Sequence, residues 1–206
     1  MPHFAYFSQK FDPVTSFYYD ASMTPVEAGL QLKMISPDDE NTLVSAHALI
    51  VKRAKEGYVL NRSLDDVRDM AIRGAAAYFN PQGEVVVFGG ITHEYHQDDD
   101  TTKPLIGAEY GAMVTASGYE RNGFSGDITQ RVAEVYLDNF ERQSDRDPNF
   151  LLFAMAEVEG PGNGVFRRLN APQIADETLP QGAFAEGGDK KYFNYGLNGL
   201  RRERPN

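Results

Sequence analysis

The turn between a strand and a helix in residues 108–140 constrains the fold of this chain more than any other stretch. Residues 108–115 are compatible with a strand and residues 116–122 with a tight polar turn, after which the sequence GFSG at 123–126 opens a helical pattern. Apolar residues then recur on one face of that helix, at Phe124, Ile128, Val132 and Val135. Backbone N–H groups at the start of a helix, together with the helix dipole, favour an anion. The segment therefore predicts a strand, a glycine turn and a helix N-terminus that can hold a phosphate group.

The composition limits the class of protein and the partners that it binds. The 206 residues suffice for one domain with a sizeable core. A net charge of -10 and a pI of about 4.8 argue against binding to nucleic acid or to an anionic membrane surface. The chain has no Cys, no apolar run long enough to span a bilayer, and no basic start followed by an apolar core in residues 1–20. We therefore expect a cytoplasmic protein without disulfides or zinc–thiolate sites.

Periodicity predicts strands and helices in alternation. The strands are expected at residues 30–35, 75–79, 84–92, 106–115 and 150–158. The helices are expected at residues 37–55, 63–73, 122–142 and 165–169. Ser36 is predicted to cap the first helix, with Pro37 at its first position. Ser63 and Asp66 are predicted to open the second helix in a capping box. Residues 93–103 are predicted to form a polar loop.

The turn at residues 116–126 and the strand before it resemble the acetyl-CoA-binding core of the GNAT (Gcn5-related) N-acetyltransferases. In that family a strand that begins with Ala-Glu leads through the signature Q/R-x-x-G-x-G/A into a helix. Here Ala-Glu stands at 108–109, and the loop reads E-x-x-G-x-S from Glu120 onward. The first and last positions of the signature therefore differ, and Asp127 follows where a basic residue is common in the family.

The resemblance extends over residues 30–169, about two thirds of the chain. Residues 30–39 are similar to the family's first strand and the beginning of its first helix. Residues 56–67 are similar to a segment of GNAT domains of the N-acetylglutamate synthase type, and residues 83–90 to the family's second hairpin. The resemblance implies an α/β fold with a mixed, mostly antiparallel sheet flanked by helices on both faces.

The resemblance also implies a domain organisation. Residues 29–170 would form a GNAT-like acyl-CoA-binding domain, preceded by an N-terminal extension at residues 1–28 and followed by a C-terminal extension at residues 171–206. The N-terminal extension is too rich in aromatic residues for a disordered tail, so we expect it to be ordered. The two extensions cover either an acceptor cleft or the seam of a homodimer, and both alternatives stay open.

The resemblance implies that acetyl-CoA, the cosubstrate, is held by two sets of backbone groups. In GNAT enzymes strands four and five splay apart beside the pantetheine, which implicates Met113, Val114 and Thr115. The loop amides that would hold the pyrophosphate belong to Arg121, Asn122, Gly123, Phe124, Ser125 and Gly126. Ser125 also offers a hydroxyl, whereas Asp127 would repel a phosphate at close range. The alternative interpretation of this loop is a glycine turn into a helix that binds no ligand.

Two positions are candidates for proton transfer. Glu109 stands where many family members carry a Glu that deprotonates the amine, a role that requires burial to raise its pKa. The alternative is an outward-facing residue in a salt bridge, and the neighbouring Tyr110 has the opposite strand parity. Family members often supply a Tyr after strand five to protonate the leaving thiolate, but residues 165–167 contain none. Tyr192, or instead Tyr195, is therefore the candidate for this role.

A short segment of residues 93–100 contains the side chains most suited to binding a metal. Two imidazoles and three carboxylates within eight residues can bind a divalent ion. These residues are His93, His96, Asp98, Asp99 and Asp100. We expect instead a solvated hairpin loop that borders the acceptor cleft, and no metal.

The resemblance implies an acyl-CoA-dependent N-acyltransferase. It would transfer an acetyl group to a small amine or amino acid by direct attack of the amine on the thioester. The departures from the loop signature, and the missing Tyr after strand five, keep a second hypothesis open. In that hypothesis the chain is a catalytically inactive GNAT-fold module that binds a ligand or a partner.

Overall fold

The computed structural model describes residues 24–143, 147–158, 160–183 and 192–200. Within these residues a seven-stranded sheet has the order β1-β2-β3-β4-β5-β7-β6. The strands are β1 (Gln31–Met34), β2 (Ala75–Phe79), β3 (Val85–His96), β4 (Leu105–Thr115), β5 (Leu151–Glu157), β6 (Gln173–Ile174) and β7 (Tyr192–Gly196). Neighbouring strands are antiparallel except β4 and β5, which are parallel. The predicted mixed, mostly antiparallel sheet is therefore confirmed.

Helices cover both faces of this sheet, as predicted. They are α1 (Glu40–Lys55), α2 (Leu64–Arg73), α3 (Phe124–Glu141) and α4 (Gly162–Arg168). Leu43 and Ile50 of α1 pack with Val67 of α2 in one buried cluster, which includes Phe88 and Val114 of the sheet. A second buried cluster joins α3 and α4 to the opposite face. Among the described helices, none combines the length and the apolar character needed to cross a lipid bilayer.

The ends of the first two helices test the capping predictions. The prediction that Ser36 caps α1 is wrong, because Asp39 accepts hydrogen bonds from the Thr42 backbone N–H at 3.2 Å and from its hydroxyl at 2.7 Å. Ser36 instead accepts from a backbone N–H within the preceding turn. The capping box that opens α2 at Ser63 is confirmed, since Ser63 and Asp66 exchange hydrogen bonds of 2.8 and 3.1 Å.

Strand β3 is longer than the sequence predicts. Residues 93–96, expected in a polar loop, continue the strand and pair with β4, His93 lying opposite Glu109 and Glu94 opposite Ala108. Tyr95 is buried between polar neighbours, so the segment alternates as a half-buried strand does. Because most of these residues are polar, the alternation between buried and exposed positions is not apparent in the sequence.

Strands β4 and β5 part after four paired residues. Their parallel pairing runs from Gly107 opposite Leu151 to Tyr110 opposite Ala154. Beyond this point β4 stays paired with β3, whereas residues 155–157 of β5 pair with β7. We call the opening between residues 111–115 and residues 155–157 the β4–β5 gap.

A bulge bends β4 where the gap begins. Ala112 has a φ of 50°, and between Gly111 and Val114 the register with β3 shifts by one residue. An extra residue in one strand bends that strand and increases its twist. The bulge therefore lies directly after the last residue of β4 that pairs with β5.

Candidate functional site

The strand residues predicted to contact a cofactor lie on one side of the β4–β5 gap. Val114 and Thr115 pair with β3, so their opposite backbone edge faces the gap. Met113 is half-buried, and its Cε lies 3.9 Å from the position that a Cβ on Gly162 would take. The gap is therefore bordered by the bulged end of β4, the end of β5 and the first turn of α4.

The N-terminus of α3 follows directly from β4. Its N-cap is Gly123, with a φ of 84° and no side chain bonded to the first turn. A Cβ added at Gly123 would meet no atom within 4 Å, so the N-cap borders open space. Arg121 has a φ of 67°, which turns the chain sharply into the helix. The predicted anion-binding segment therefore has an uncapped helix N-terminus with room beside it.

The two acidic residues that depart from the family signature are both bonded to protein groups. Glu120 accepts a hydrogen bond from the Gly118 backbone N–H at 2.7 Å and forms an ion pair with Arg53 at 3.3 Å. Asp127 accepts a hydrogen bond from the Tyr78 hydroxyl at 3.1 Å. The Arg53 guanidinium partly offsets the negative charge of Glu120, whereas the Tyr78 hydroxyl fixes the orientation of the Asp127 carboxylate.

The hydroxyl of Ser125, which the sequence offers to a phosphate, has a partner in the preceding strand. Its Oγ lies 2.8 Å from Oγ1 of Thr115. This hydrogen bond ties the last residue of β4 to the first turn of α3. The strand and the helix on either side of the turn are thereby held at a fixed spacing.

Arg53 is a residue of this site that sequence reasoning missed. It is 7% exposed and lies near the C-terminal end of α1. Besides Glu120, its guanidinium bonds Glu56 at 2.6 Å and the Ser117 hydroxyl at 3.3 Å, and it lies 4.2 Å from the centre of the Tyr58 ring. Arg53 therefore connects α1 to the turn before α3, although no local pattern marks it as different from other helical arginines.

Glu109 lies one residue before the strands part. It is opposite Phe153 of β5, and Tyr110, the next residue, is the last in the pairing. Its carboxylate accepts a hydrogen bond from the Tyr95 hydroxyl at 3.1 Å. Burial raises the pKa of Glu109, while the bond from Tyr95 and the charge of Arg62 act to lower it. The raised pKa has the direction required of a base that works toward neutral pH.

Tyr110 points to the opposite face of the sheet from Glu109. It is 1% exposed and belongs to the cluster beneath α3. Its hydroxyl lies 3.1 Å from the Thr129 hydroxyl, and burial raises the pKa of Tyr110. The predicted opposite parity of the two residues therefore holds, with Glu109 on the face of α1 and α2.

The two candidate tyrosines of β7 lie on opposite faces. Tyr195 is buried, stacks on Phe166 of α4 and donates a hydrogen bond of 3.0 Å to Oδ1 of Asn163. Tyr192 is half-buried and lies opposite Glu157 at the parted end of β5. Side chains alternate along a strand, so Tyr192 is on the opposite face from Tyr195. Register places it on the same face as Phe153, and hence as Glu109.

Asn163 fixes the end of β5 and was not anticipated from the sequence. Its amide donates hydrogen bonds of 2.7 Å to the backbone oxygens of Glu157 and Val158. With the Tyr195 bond, its side chain links α4, β5 and β7. A buried Asn with all these partners restricts where the parted end of β5 can lie.

The five residues with metal-binding chemistry have separate roles. The His93 ring packs against Tyr95 at a tilt of 58°, with the ring centres 4.5 Å apart. Burial, followed by the charge of Arg73, lowers the pKa of His93. His96 bonds the Lys103 backbone oxygen, and the Lys103 ammonium pairs with Asp98 at 2.6 Å. No three such side chains come together as metal ligands anywhere in the described ranges.

The sequence and the structure were compared with those of known proteins. No family model matches the sequence. No curated protein matches it either. Solved structures do match: a GNAT-family acetyltransferase from Staphylococcus aureus Mu50 has a TM-score of 0.55 at 13% identity, over 81% of this chain and 99% of that chain.

Two further solved structures agree with the first. N-acetylglutamate synthase from Neisseria gonorrhoeae, complexed with coenzyme A and N-acetyl-glutamate, has a TM-score of 0.57 at 12% identity, over 81% of this chain and 35% of that chain. A putative acetyltransferase from Acinetobacter baylyi ADP1 has a TM-score of 0.52 at 10% identity, over 86% of this chain and 97% of that chain. The chain therefore has the fold of the GNAT acetyltransferases.

Proposed function

We propose that the protein is an acyl-CoA-dependent N-acyltransferase that transfers an acetyl group from acetyl-CoA to a small amine or amino acid. The observation that carries this proposal is the parting of β4 and β5 directly beside the uncapped N-terminus of α3. An extended pantetheine fits between parted strands, and a pyrophosphate fits at a helix N-terminus. The solved N-acetylglutamate synthase with this fold contains coenzyme A, which supports the same class of cosubstrate.

The chain offers two sets of groups to acetyl-CoA. The free backbone edge at Met113, Val114 and Thr115 is suited to hydrogen-bonding the amides of pantetheine. The backbone amides of residues 121–126 are suited to the pyrophosphate, because the helix dipole adds to their attraction for an anion. The ion pair of Arg53 with Glu120 reduces the repulsion that Glu120 would otherwise exert on a phosphate.

Glu109 and Tyr192 take the two proton-transfer roles in this proposal. Glu109 removes a proton from the acceptor's ammonium group, and the neutral amine attacks the thioester carbonyl carbon. The nitrogen of the tetrahedral intermediate loses its second proton to water, and the intermediate collapses by breaking the carbon–sulfur bond. The thiolate takes a proton from the Tyr192 hydroxyl, which regains a proton from solvent. Both residues lie on the same face of the sheet, one where β4 and β5 part and one at the parted end of β5. Orientation of the amine and thioester supplies much of the rate enhancement in such a reaction.

The second candidate is a catalytically inactive module with the same fold, which binds acyl-CoA or a protein partner. One observation favours it: α4 carries Phe166 facing Tyr195, whose hydroxyl is already bonded to Asn163. If Tyr192 does not reach the thioester sulfur, no tyrosine of α4 or β7 in the described ranges can protonate it. The inactive module would bind acetyl-CoA but would not consume it.

Melting and turnover measurements on the full chain separate these candidates. Acetyl-CoA at 100 times its Kd stabilises a protein that binds it by about 2.7 kcal/mol, so the melting temperature should rise. An enzyme also releases free thiol when acetyl-CoA is mixed with a panel of amines and amino acids, whereas the inactive module does not. If neither CoA nor acetyl-CoA changes the melting temperature, the proposed cosubstrate is wrong and a structural or interaction role replaces it.

A further inference from the structure

We infer that Met113 determines the acyl specificity of the protein and restricts it to a short acyl group, acetyl or propionyl. This inference rests on the proposed function and narrows its class of acyl donor. It gives the Met113 side chain a role of its own, beside the proposed hydrogen bonds of its backbone to pantetheine. The contacts that this side chain makes across the β4–β5 gap carry the inference.

The Met113 side chain crosses the β4–β5 gap on the face of α3 and α4. Its Cε lies 3.9 Å from the position that a Cβ on Gly162 would take, and the Cβ of Ala156 in β5 lies 3.3 Å from the same position. Met113 belongs to β4, so the end of its side chain reaches the β5 side of the opening. The gap is therefore spanned on this face by a thioether side chain.

The middle of the Met113 side chain lies against α3. Its Sδ is 3.7 Å from Oγ1 of Thr129, which is fully buried. The same Thr129 hydroxyl donates a hydrogen bond of 2.8 Å to the Ser125 backbone oxygen, which fixes its position on the helix. Met113 thus contacts α3 through its sulfur and lies beside the start of α4 at its methyl group.

The neighbouring side chains of β4 on this face are directed elsewhere. Tyr110 is directed toward β3, because a Cβ added at Gly89 would clash with its hydroxyl. Thr115 is bonded to Ser125 in the first turn of α3. Met113 is therefore the side chain of this end of β4 that extends toward β5.

The opposite wall of the gap is made of small residues. Ala154 and Ala156 of β5 are buried in the cluster beneath α3, and Gly162 begins α4 beside them. Such residues do not reach across the opening, so the width that remains on this face depends on the Met113 side chain. An acyl chain longer than propionyl would have to take the space that Met113 fills.

The expected discrimination is graded, because methionine is flexible. Its three rotatable bonds allow a partial displacement by a ligand. Inserting extra methylenes into filled apolar space nevertheless has an energetic cost. In an apolar pocket one methylene changes kcat/KM by about 10–200-fold. We therefore expect the rate to fall with each step in acyl length.

The test measures kcat/KM of the full chain for acetyl-, propionyl-, butyryl- and hexanoyl-CoA, with one amine that supports turnover. The wild type should use butyryl-CoA at least about tenfold more slowly than acetyl-CoA. Met113→Ala removes Cγ, Sδ and Cε, so it should bring the ratio of acetyl to butyryl close to 1. A wild type that uses butyryl-CoA as fast as acetyl-CoA overturns the inference, as does a Met113→Ala protein that keeps the wild-type ratio.

Two control variants make the result specific. Met155→Ala is the same truncation at the same gap but on the opposite face, where Met155 packs with Phe153, and it should leave the ratio unchanged. Met113→Leu keeps most of the side-chain volume, so it should keep the wild-type preference. Equal loss of the preference in Met113→Leu and Met113→Ala would show that volume is not the cause and would overturn the inference. The rise in melting temperature with CoA, which has no acyl group, checks that each variant folds and binds the cosubstrate.

Binding separates a failure of this inference from a failure of the proposed function. If the protein binds CoA but consumes no thioester, the enzymatic proposal fails, and calorimetric titration with acetyl-CoA and butyryl-CoA tests the role of Met113. Weaker binding of butyryl-CoA that disappears in Met113→Ala supports the inference, whereas equal affinities in the wild type overturn it. A protein that binds neither CoA nor its thioesters overturns the proposed function and this inference with it.

Discussion

Arg53 and Glu120 form an ion pair of 3.3 Å that joins the end of α1 to the turn leading into α3. Glu120 also accepts the Gly118 backbone N–H, so its carboxylate connects Arg53 to the backbone of the turn. The Ser117 hydroxyl makes a second contact between Arg53 and the same turn. The shape of the proposed pyrophosphate site thus depends on a helix that contributes no atom to it.

We expect Glu120→Gln to weaken binding of acetyl-CoA by about three- to tenfold, with little loss of stability. The ion pair is partly exposed, and such pairs contribute about 1 kcal/mol or less. Binding should fall more than stability because the turn is less well ordered for the pyrophosphate, a loss that we expect to exceed the gain from removing a carboxylate beside an anion. Calorimetric titration with acetyl-CoA and with acetyl-pantetheine, which lacks the nucleotide, measures this difference.

Glu56→Gln is the matched control for that variant. Glu56 pairs with the same guanidinium at 2.6 Å but lies outside the turn. The Glu56→Gln variant should bind acetyl-CoA and acetyl-pantetheine with affinities near those of the wild type. An equal loss for acetyl-CoA and acetyl-pantetheine in Glu120→Gln would refute a specific effect on the pyrophosphate.

Gly123→Glu should abolish the stabilisation by acetyl-CoA while the protein stays folded. The new carboxylate would stand at the N-cap of α3, where the pyrophosphate is proposed to bind, and the space around Gly123 accepts a side chain. Gly123→Gln is the control, since both variants have the same size and the same backbone strain of about 1–2 kcal/mol at positive φ. Isothermal titration should show at least about tenfold weaker binding for Glu than for Gln. Equal affinities of the two variants for acetyl-CoA would show that the pyrophosphate does not bind at the N-terminus of α3.

The Glu109 carboxyl should set the acid limb of the pH–rate profile. Burial raises the pKa of Glu109 above its ordinary value of 4.5, so kcat/KM should rise with pH through that raised pKa as the base loses its proton. Glu109→Gln should lose this limb and about 100-fold or more of the rate. A limb that persists in Glu109→Gln would assign it to another group, such as His93, which lies opposite in β3.

Tyr95→Phe tests whether the acid limb follows the pKa of Glu109. The hydrogen bond from Tyr95 lowers the pKa of Glu109. Its removal should therefore raise that pKa further and move the acid limb to higher pH, with the plateau rate retained. A limb that moves to lower pH, or stays in place, would contradict the assignment of the limb to Glu109.

The periodic parts of the fold were predictable from the sequence because local spacing determines them. The capping box at Ser63 and the glycine turn into α3 each depend on residues that are close in the chain. The contacts of Arg53 and Asn163 were not predictable, since each depends on how separate elements pack. The polarity of the segment from His93 to His96 predicts a loop, because it conceals the alternation with which the segment pairs with β4. The site residues named from the resemblance remain predictions.

Asn163→Ala should destabilise the fold by about 2–4 kcal/mol. The change removes the three hydrogen bonds of the Asn163 side chain, to the backbone oxygens of Glu157 and Val158 and from the Tyr195 hydroxyl, and each lost bond costs about 0.5–1.5 kcal/mol. The Glu157 oxygen keeps the Gly160 N–H and the Tyr195 hydroxyl keeps Gln173, which limits the loss. Urea unfolding of the variant and of Tyr195→Phe, which removes one of these bonds, measures the loss. A loss below about 0.5 kcal/mol for Asn163→Ala would show that water replaces the bonds.

Tyr192→Phe and Tyr195→Phe should have opposite effects on turnover and stability. Tyr192 lies at the parted end of β5 on the face of Glu109, so loss of its hydroxyl should lower kcat by about 100-fold if it protonates the thiolate, with little change in unfolding free energy. Tyr195 is buried and bonded to Asn163, so its variant should lose about 1 kcal/mol of stability and keep most of its kcat. Steady-state kinetics with acetyl-CoA, paired with urea unfolding, resolves the two effects. If Tyr195→Phe loses turnover while Tyr192→Phe keeps it, the acid is Tyr195, and the thiolate must be protonated from the face of α4.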